Sequence, residues 1–291
     1  MNADKLRFDK VAIVGVGLIG GSLALAARKQ GVFNQVIGIG RTLENLQKAK
    51  RLNVIDEFTL DLKEGVRGVD LVVVATPVKE IVPLIKGMLP YLKRGALITD
   101  VGSVKGEIMS EIDGLPLSET YFVGGHPIAG TENSGVEAAF PELFQGKRCI
   151  LTPTPKTNPL ALEKIKNLWI SVGSEVCFMD SQKHDQILGA VSHLPHMLAF
   201  ALVGFLAKIN QFPESIFEFS GGGLKDFTRI AGSHPVMWAD IALMNRDNLV
   251  ALLEGFQNEL KSLTGLIKHR EGEELVKNFQ KSRWVRRELI K

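Results

Sequence analysis

Between Lys10 and about Ser181 the chain alternates short apolar runs, rich in Val and Ile, with amphipathic stretches. The runs are "KVAIVGVG", "QVIGIGR", "DLVVVATP", "GALITDVGS", "TYFVGGHP", "RCILTPTP" and "SEVCFMD". Strands that are apolar throughout and separated by helices indicate a parallel sheet covered on both faces. After about Gln182 these runs stop and helical periodicity takes over, in "QKHDQILGAVSHLPHMLAFALVGFLAKI", "PVMWADIALMN", "RDNLVALLEGFQNELKSLTGLIKHR" and "EELVKNFQKSRWVRREL". In the third of these, Leu249, Leu252, Leu253, Phe256, Leu260 and Leu263 keep the i, i+3, i+4 spacing of one helix face. The pattern predicts a doubly wound α/β unit over residues 1–180 and an all-helical unit over 181–291, with no internal repeat.

A chain of 291 residues is long for one domain, which agrees with that division. The net charge of +3 comes from 35 basic and 32 acidic residues spread along the chain, so neither nucleic acid nor a membrane is expected as a partner. A small-molecule partner is expected instead. Cys149 and Cys177 have no CxxC spacing and read as reduced thiols. The amino terminus "MNADKLRFDK" lacks a signal-peptide core, and the apolar run "MLAFALVGFLA" is too short to cross a bilayer. Both point to the cytoplasm.

The first strand runs into "GVGLIGGSLA", which puts Gly15, Gly17 and Gly20 in GxGxxG spacing at a strand-to-helix turn. The first glycine permits the turn, the second lets backbone approach a pyrophosphate, and the third lets helix pack on strand. The amides of Leu18 and Ile19 then open the helix toward the phosphates. After the second strand an NAD site places a carboxylate on the ribose; here stand Arg41 and Thr42, which suit a 2′-phosphate and so favour NADP over NAD. A solvated loop arginine is the alternative reading of Arg41. Further strand ends carry Thr76 and Pro77, Ser103 and Lys105, and then His126, all on the edge where open parallel sheets bind ligands.

"GVGLIGGSLA", "DVGSVK", "GGHPIAGTENSG", "HDQILGAVSHLPHMLAFAL" and "GGGLKDFTRIAGSHPVMWADI" together resemble prephenate/arogenate dehydrogenase, the TyrA family of tyrosine biosynthesis, from Lys10 to about Arg270. The resemblance implies a Rossmann-type domain followed by a helical dimerisation domain, and a homodimer. It also implies oxidative decarboxylation: prephenate to 4-hydroxyphenylpyruvate, or arogenate to tyrosine, with hydride passing to NAD(P). His126 matches the family's catalytic histidine as acceptor of the substrate hydroxyl proton, and Ser103 the serine bridging hydroxyl, histidine and cofactor. Arg229 matches the arginine that holds a substrate carboxylate. His193 and His196 lie in the segment lining the substrate pocket, His196 being the better candidate for the side-chain carboxylate of prephenate. Glu132 and Asp226 match positions at the pocket mouth and in the subunit-contact region.

Structural readings stand beside these. His193 and His196 could cap or bridge helices, Glu132 and Asp226 could be solvated carboxylates, and Trp238 reads as core or dimer contact. A zinc site from His184, Asp185, His193 and His196 lacks the usual ligand spacing, so no metal is expected. The glycines around His126 are expected to let backbone pass close to nicotinamide and substrate. No regulatory ACT domain and no chorismate mutase domain are expected. Other activities to weigh are a dual cyclohexadienyl dehydrogenase, a β-hydroxyacid dehydrogenase or imine reductase on a related plan, and a non-catalytic NADP-binding protein.

Overall fold

The computed structural model describes residues 6–117, 119–131, 133–210 and 215–289. Six strands form one parallel sheet: β1 (Phe8–Val14), β2 (Phe33–Ile39), β3 (Glu57–Thr59), β4 (Leu71–Val74), β5 (Leu97–Asp100) and β6 (Tyr121–Val123). Their order is β3-β2-β1-β4-β5-β6, so the winding reverses between β1 and β4. Alternate side chains of β1 serve opposite faces. Val11 and Ile13 join a core with Leu23, Leu46, Phe144 and Trp169, while Ala12 and Val14 join a second core with Ile81, Ile85, Met88 and Ile108. Side chains buried this completely contribute about 1.5–3 kcal/mol each, which is why the strands read as continuous apolar runs. The helices covering the sheet are α1 (Leu18–Lys29), α2 (Leu43–Arg51), α3 (Leu62–Gly65), α4 (Val78–Met88), α5 (Gly106–Asp113) and α6 (Pro159–Ser171).

Three apolar runs do not end where a single sheet would put them. "TYFVGGHP" splits at Gly124 into β6 and a separate strand, β7 (Gly125–Pro127), which pairs antiparallel with β8 (Arg148–Leu151); β9 (Glu175–Phe178) then pairs parallel with β8. The turn is possible because position 124 has no room for a side chain: a Cβ there would lie 2.6 Å from Met109 Sδ and from Thr152 Oγ1. Apolarity along a strand reports burial and leaves its pairing partner open. The second sheet therefore had no signature of its own.

The remainder is helical. Asp180 caps α7 (Ser181–Leu188) by accepting the amides of Gln182 and Lys183. A five-residue π-helical stretch, Gly189–His193, joins α7 to α8 (Leu194–Ile209). Pro195 lacks the amide the helical ladder needs, and the widened turn before it absorbs that loss. The continuous helix Ser181–Ile209 has a window of mean hydropathy 1.6, so by length and composition it could cross a bilayer, although "MLAFALVGFLA" alone could not. That expectation took the apolar run as the whole element, whereas the helix runs on through the π stretch. Three polar side chains in its first half, His184, Asp185 and His193, are buried within the protein.

Next come α9 (Gly222–Thr228), α10 (Pro235–Met244), α11 (Arg246–Lys268) and α12 (Gly272–Leu289). Trp238 and Ile241 of α10 enter the second sheet core, and Lys79 of α4 pairs with Asp240 at 3.0 Å, so the helical part is bolted to one face of the sheet. Its outer surface carries large exposed apolar side chains among charged ones: Phe219 is 80% exposed, Leu243 71% and Trp284 64%.

Candidate active site

At the reversal of the sheet the chain leaves β1 through Gly15, whose φ of +95° is a backbone conformation suited to glycine. A Cβ at Gly15 would sit 2.4 Å from the Ala75 carbonyl oxygen, and one at Gly20 would sit 2.4 Å from the Gly15 carbonyl oxygen. Gly17 faces open space instead. It caps α1 without a side-chain bond, which leaves the amides of Leu18 and Ile19 uncapped by any side chain at the crevice. Across the crevice, Thr76 Oγ1 is buried without a hydrogen-bond partner among the described residues, just before Pro77 at the start of α4. An open glycine, uncapped helix amides and an orphaned hydroxyl fit a dinucleotide pyrophosphate and nicotinamide. Arg41 and Thr42 are exposed in the turn after β2, and Asn45 ties that turn to the glycine loop through the Val16 carbonyl at 2.9 Å. Glu44, in the first turn of α2, is the nearest carboxylate in sequence.

Behind the crevice lies a buried polar cluster. Asp100, at the end of β5, accepts the amides of Gly102 at 2.9 Å and Gly125 at 3.1 Å and pairs with Lys105 Nζ, both side chains being fully buried. This fixes the "DVGSVK" turn, with half-buried Ser103, against the "GGH" strand. Asp185 of α7 reaches the same turn, accepting the Lys105 amide at 2.8 Å through Oδ1 and the Gly106 amide at 2.7 Å through Oδ2. His184 Nδ1 lies 2.7 Å from Asp185 Oδ1, and His184 Nε2 lies 2.8 Å from His126 Nδ1. His126 is thus held through one ring nitrogen and retains Nε2.

His193 is buried, with Nδ1 3.0 Å from Asn245 Nδ2; Asn245 also donates to the Asp185 carbonyl at 2.8 Å. His196 stacks on Trp238 at 3.6 Å between ring centroids and turns Nδ1 to the Ser192 carbonyl. Arg229 is exposed and close enough to His196 to oppose its protonation. Asp226 is exposed on α9, and Glu132 lies outside the described residues.

The structure thus brings Ser103, His126, His193, His196 and Arg229 to one region, and adds residues that sequence reading did not single out for it. On the sequence His184 and Asp185 suggest only a zinc site, Lys105 only a strand end, and Asp100 and Asn245 no role. Their one sequence signal is a polar residue inside an apolar element. Two expectations change. His126 lies within a short strand of a second sheet and not at the end of a strand of the parallel sheet, and Gly124 and Gly125 are packed by protein: a Cβ at 125 would meet the Asp100 carbonyl oxygen at 3.0 Å. Of the glycines near His126, Gly130 does face open space. Trp238 proves to be both core and a platform, for His196.

Burial, and then the charges of His184, Lys105 and His193, hold the His126 pKa well below 6.5, so its imidazole is neutral at working pH. Burial pushes His193 down to about 4, against the pull of Asp185 and the Ser103 carbonyl. A histidine with a native pKa below its unfolded value takes up its proton more readily when unfolded. Stability should therefore fall as pH drops from about 6.5 to about 4, by an amount on the order of 3 kcal/mol from His193 alone. Urea titrations across this range should show that slope, and His193→Gln should make it shallower.

Comparison with known proteins agrees with this geometry. Residues 23–178 match the family model "Prephenate dehydrogenase, nucleotide-binding domain", and residues 180–281 match "Prephenate dehydrogenase, dimerization domain". The chain is 36% identical over 281 residues to a cyclohexadienyl dehydrogenase of Zymomonas mobilis, covering 96% of this chain and 95% of that one. It is 35% identical to a prephenate dehydrogenase of Bacillus subtilis, covering 94% and 74%. Among solved structures, prephenate dehydrogenase from Aquifex aeolicus with hydroxyphenyl propionate and NAD+ superposes with a TM-score of 0.92 at 40% identity, covering 98% and 100%. Synechocystis arogenate dehydrogenase superposes at 0.77 with 30% identity, covering 95% and 98%. The chain belongs to the prephenate dehydrogenase family and is an NAD(P)-dependent oxidoreductase.

Proposed function

We propose that this enzyme oxidatively decarboxylates prephenate to 4-hydroxyphenylpyruvate, preferring NADP, with His126 as its general base. The observation that carries the reading is a buried neutral imidazole, anchored through Nδ1, with Nε2 left for substrate at the carboxyl edge of the sheet. Bound nicotinamide supplies a hydride acceptor for the ring carbon that bears the hydroxyl. His126 Nε2 takes the hydroxyl proton as that hydride leaves, and a carbonyl forms. The bond to the ring carboxylate then breaks, its electrons enter the ring, and carbon dioxide departs. The carbonyl oxygen becomes phenolate and recovers its proton from His126, so the base is regenerated. A positioned general base contributes about 10²- to 10⁴-fold.

Ser103, on the turn fixed by Asp100, is assigned to the hydroxyl and the cofactor. Arg229 and the His196–Trp238 stack are assigned to the substrate carboxylates, where a guanidinium offers a planar pair of donors. His193 is assigned to the pocket wall, Glu132 to its mouth, and Asp226 to the subunit contact. Arg41 at the end of β2 supports NADP, because a guanidinium there attracts a 2′-phosphate. Residues 1–180 are taken as the nucleotide-binding domain and 181–291 as the substrate and dimerisation domain.

A second reading, arogenate or dual cyclohexadienyl use, is favoured by the similarity to the Zymomonas mobilis and Synechocystis enzymes. The match of residues 180–281 to a dimerization domain, together with the exposed large apolar side chains of the helical part, supports a homodimer.

Three measurements test this. His126→Asn should lose at least about 10²-fold in kcat while binding cofactor normally; near-wild-type turnover removes the assignment. Initial rates in a two-by-two matrix of prephenate or arogenate with NAD or NADP should be highest for prephenate with NADP, and a strong NAD preference removes the Arg41 argument. Sedimentation at micromolar concentration should show a dimer, and a stable monomer would contradict it.

A further inference from the structure

We infer that His184 and Asp185 are positioning residues that set the tautomer of His126, so that its Nε2 carries a lone pair and not a proton. The inference deepens the proposed function and rests on His126 as its base. Asp185 accepts two backbone amides, Lys105 through Oδ1 and Gly106 through Oδ2, as a carboxylate does. The His184 nitrogen 2.7 Å from Oδ1 must then be the donor, so Nδ1 of His184 bears the hydrogen. In a neutral ring that leaves His184 Nε2 as an acceptor. The atom 2.8 Å from it, His126 Nδ1, must donate. Which ring nitrogen of a histidine is protonated follows from the bond made by the other, so His126 Nε2 is left basic.

The arrangement matters because the opposite tautomer would present N–H where a proton must be accepted. Burial makes the chain of bonds directive: all three side chains are nearly closed off, with His126 8% and His184 0% exposed, so water cannot substitute for a missing partner. Because Asp185 also caps the turn that carries Ser103, one carboxylate orients the base and fixes the serine's loop together.

The test is the tautomer itself, read by long-range proton–nitrogen NMR on full-length protein labelled only at its six histidines, with His126 assigned from the His126→Asn spectrum. Wild-type protein should show His126 protonated at Nδ1. His184→Phe removes the acceptor and should shift His126 toward the Nε2–H form, lowering kcat by about 10²-fold or more with the cofactor KM unchanged. His184→Gln keeps an acceptor oxygen and should restore both the Nδ1–H signal and most of kcat. A wild-type His126 protonated at Nε2 overturns the inference, as does His184→Phe with wild-type kcat and tautomer. Should the Phe variant not fold, the wild-type and Gln spectra decide alone. Absence of turnover on either dienol would sink the proposed function and leave the spectrum intact. The wrong tautomer with His126→Asn still inactive would sink only this inference.

Discussion

The carboxylate of Asp185 ties the helical part of the molecule to the sheet at the site itself. It belongs to the first helix of the carboxyl-terminal part, yet both its oxygens bind amides of a turn that follows the fifth strand of the parallel sheet. A charge placed in so little water is tolerated only when it is well hydrogen-bonded, and here two amides and one imidazole bind it. That requirement fixes the approach of α7 to the sheet to within the tolerance of a hydrogen bond. The position of His184, and through it His126, follows.

Around this contact the protein keeps a second buried pair, Asp100 with Lys105, and three histidines within reach of one another. Burial first, and then neighbouring positive charge, drives the imidazoles of His126 and His193 toward neutrality. The cost is acid sensitivity; the gain is a base that is unprotonated before substrate arrives. Trp238 serves two parts of the structure, packing in the sheet core and stacking its ring on His196.

The parallel sheet, the glycine turn at its reversal and the helical second half were all legible from periodicity, because an apolar run or a 3.6-residue repeat is a local record of burial. The spacing of Gly15, Gly17 and Gly20 marks the strand-to-helix turn locally, whereas the close approach of Ala75 to Gly15 is a contact made only in the fold. What stayed hidden was pairing over distance. Nothing in "RCIL" or "SEVC" tells that they leave the main sheet to join the strand of His126, and nothing in "KHDQ" tells that a histidine 58 residues from His126 bonds to it.

The sequence by itself thus determined the long helices and every strand run but the short β3, the glycine turn after β1, and the family to which the motifs belong. Only the tertiary structure decided which nitrogen of His126 is held, which side chains crowd it toward neutrality, and which carboxylate anchors the site. Local propensity and hydrophobic period act between neighbours in the chain. Hydrogen-bond direction and burial are properties of groups brought together by folding, and they exist only once Asp185, His184 and His126 share one dry space.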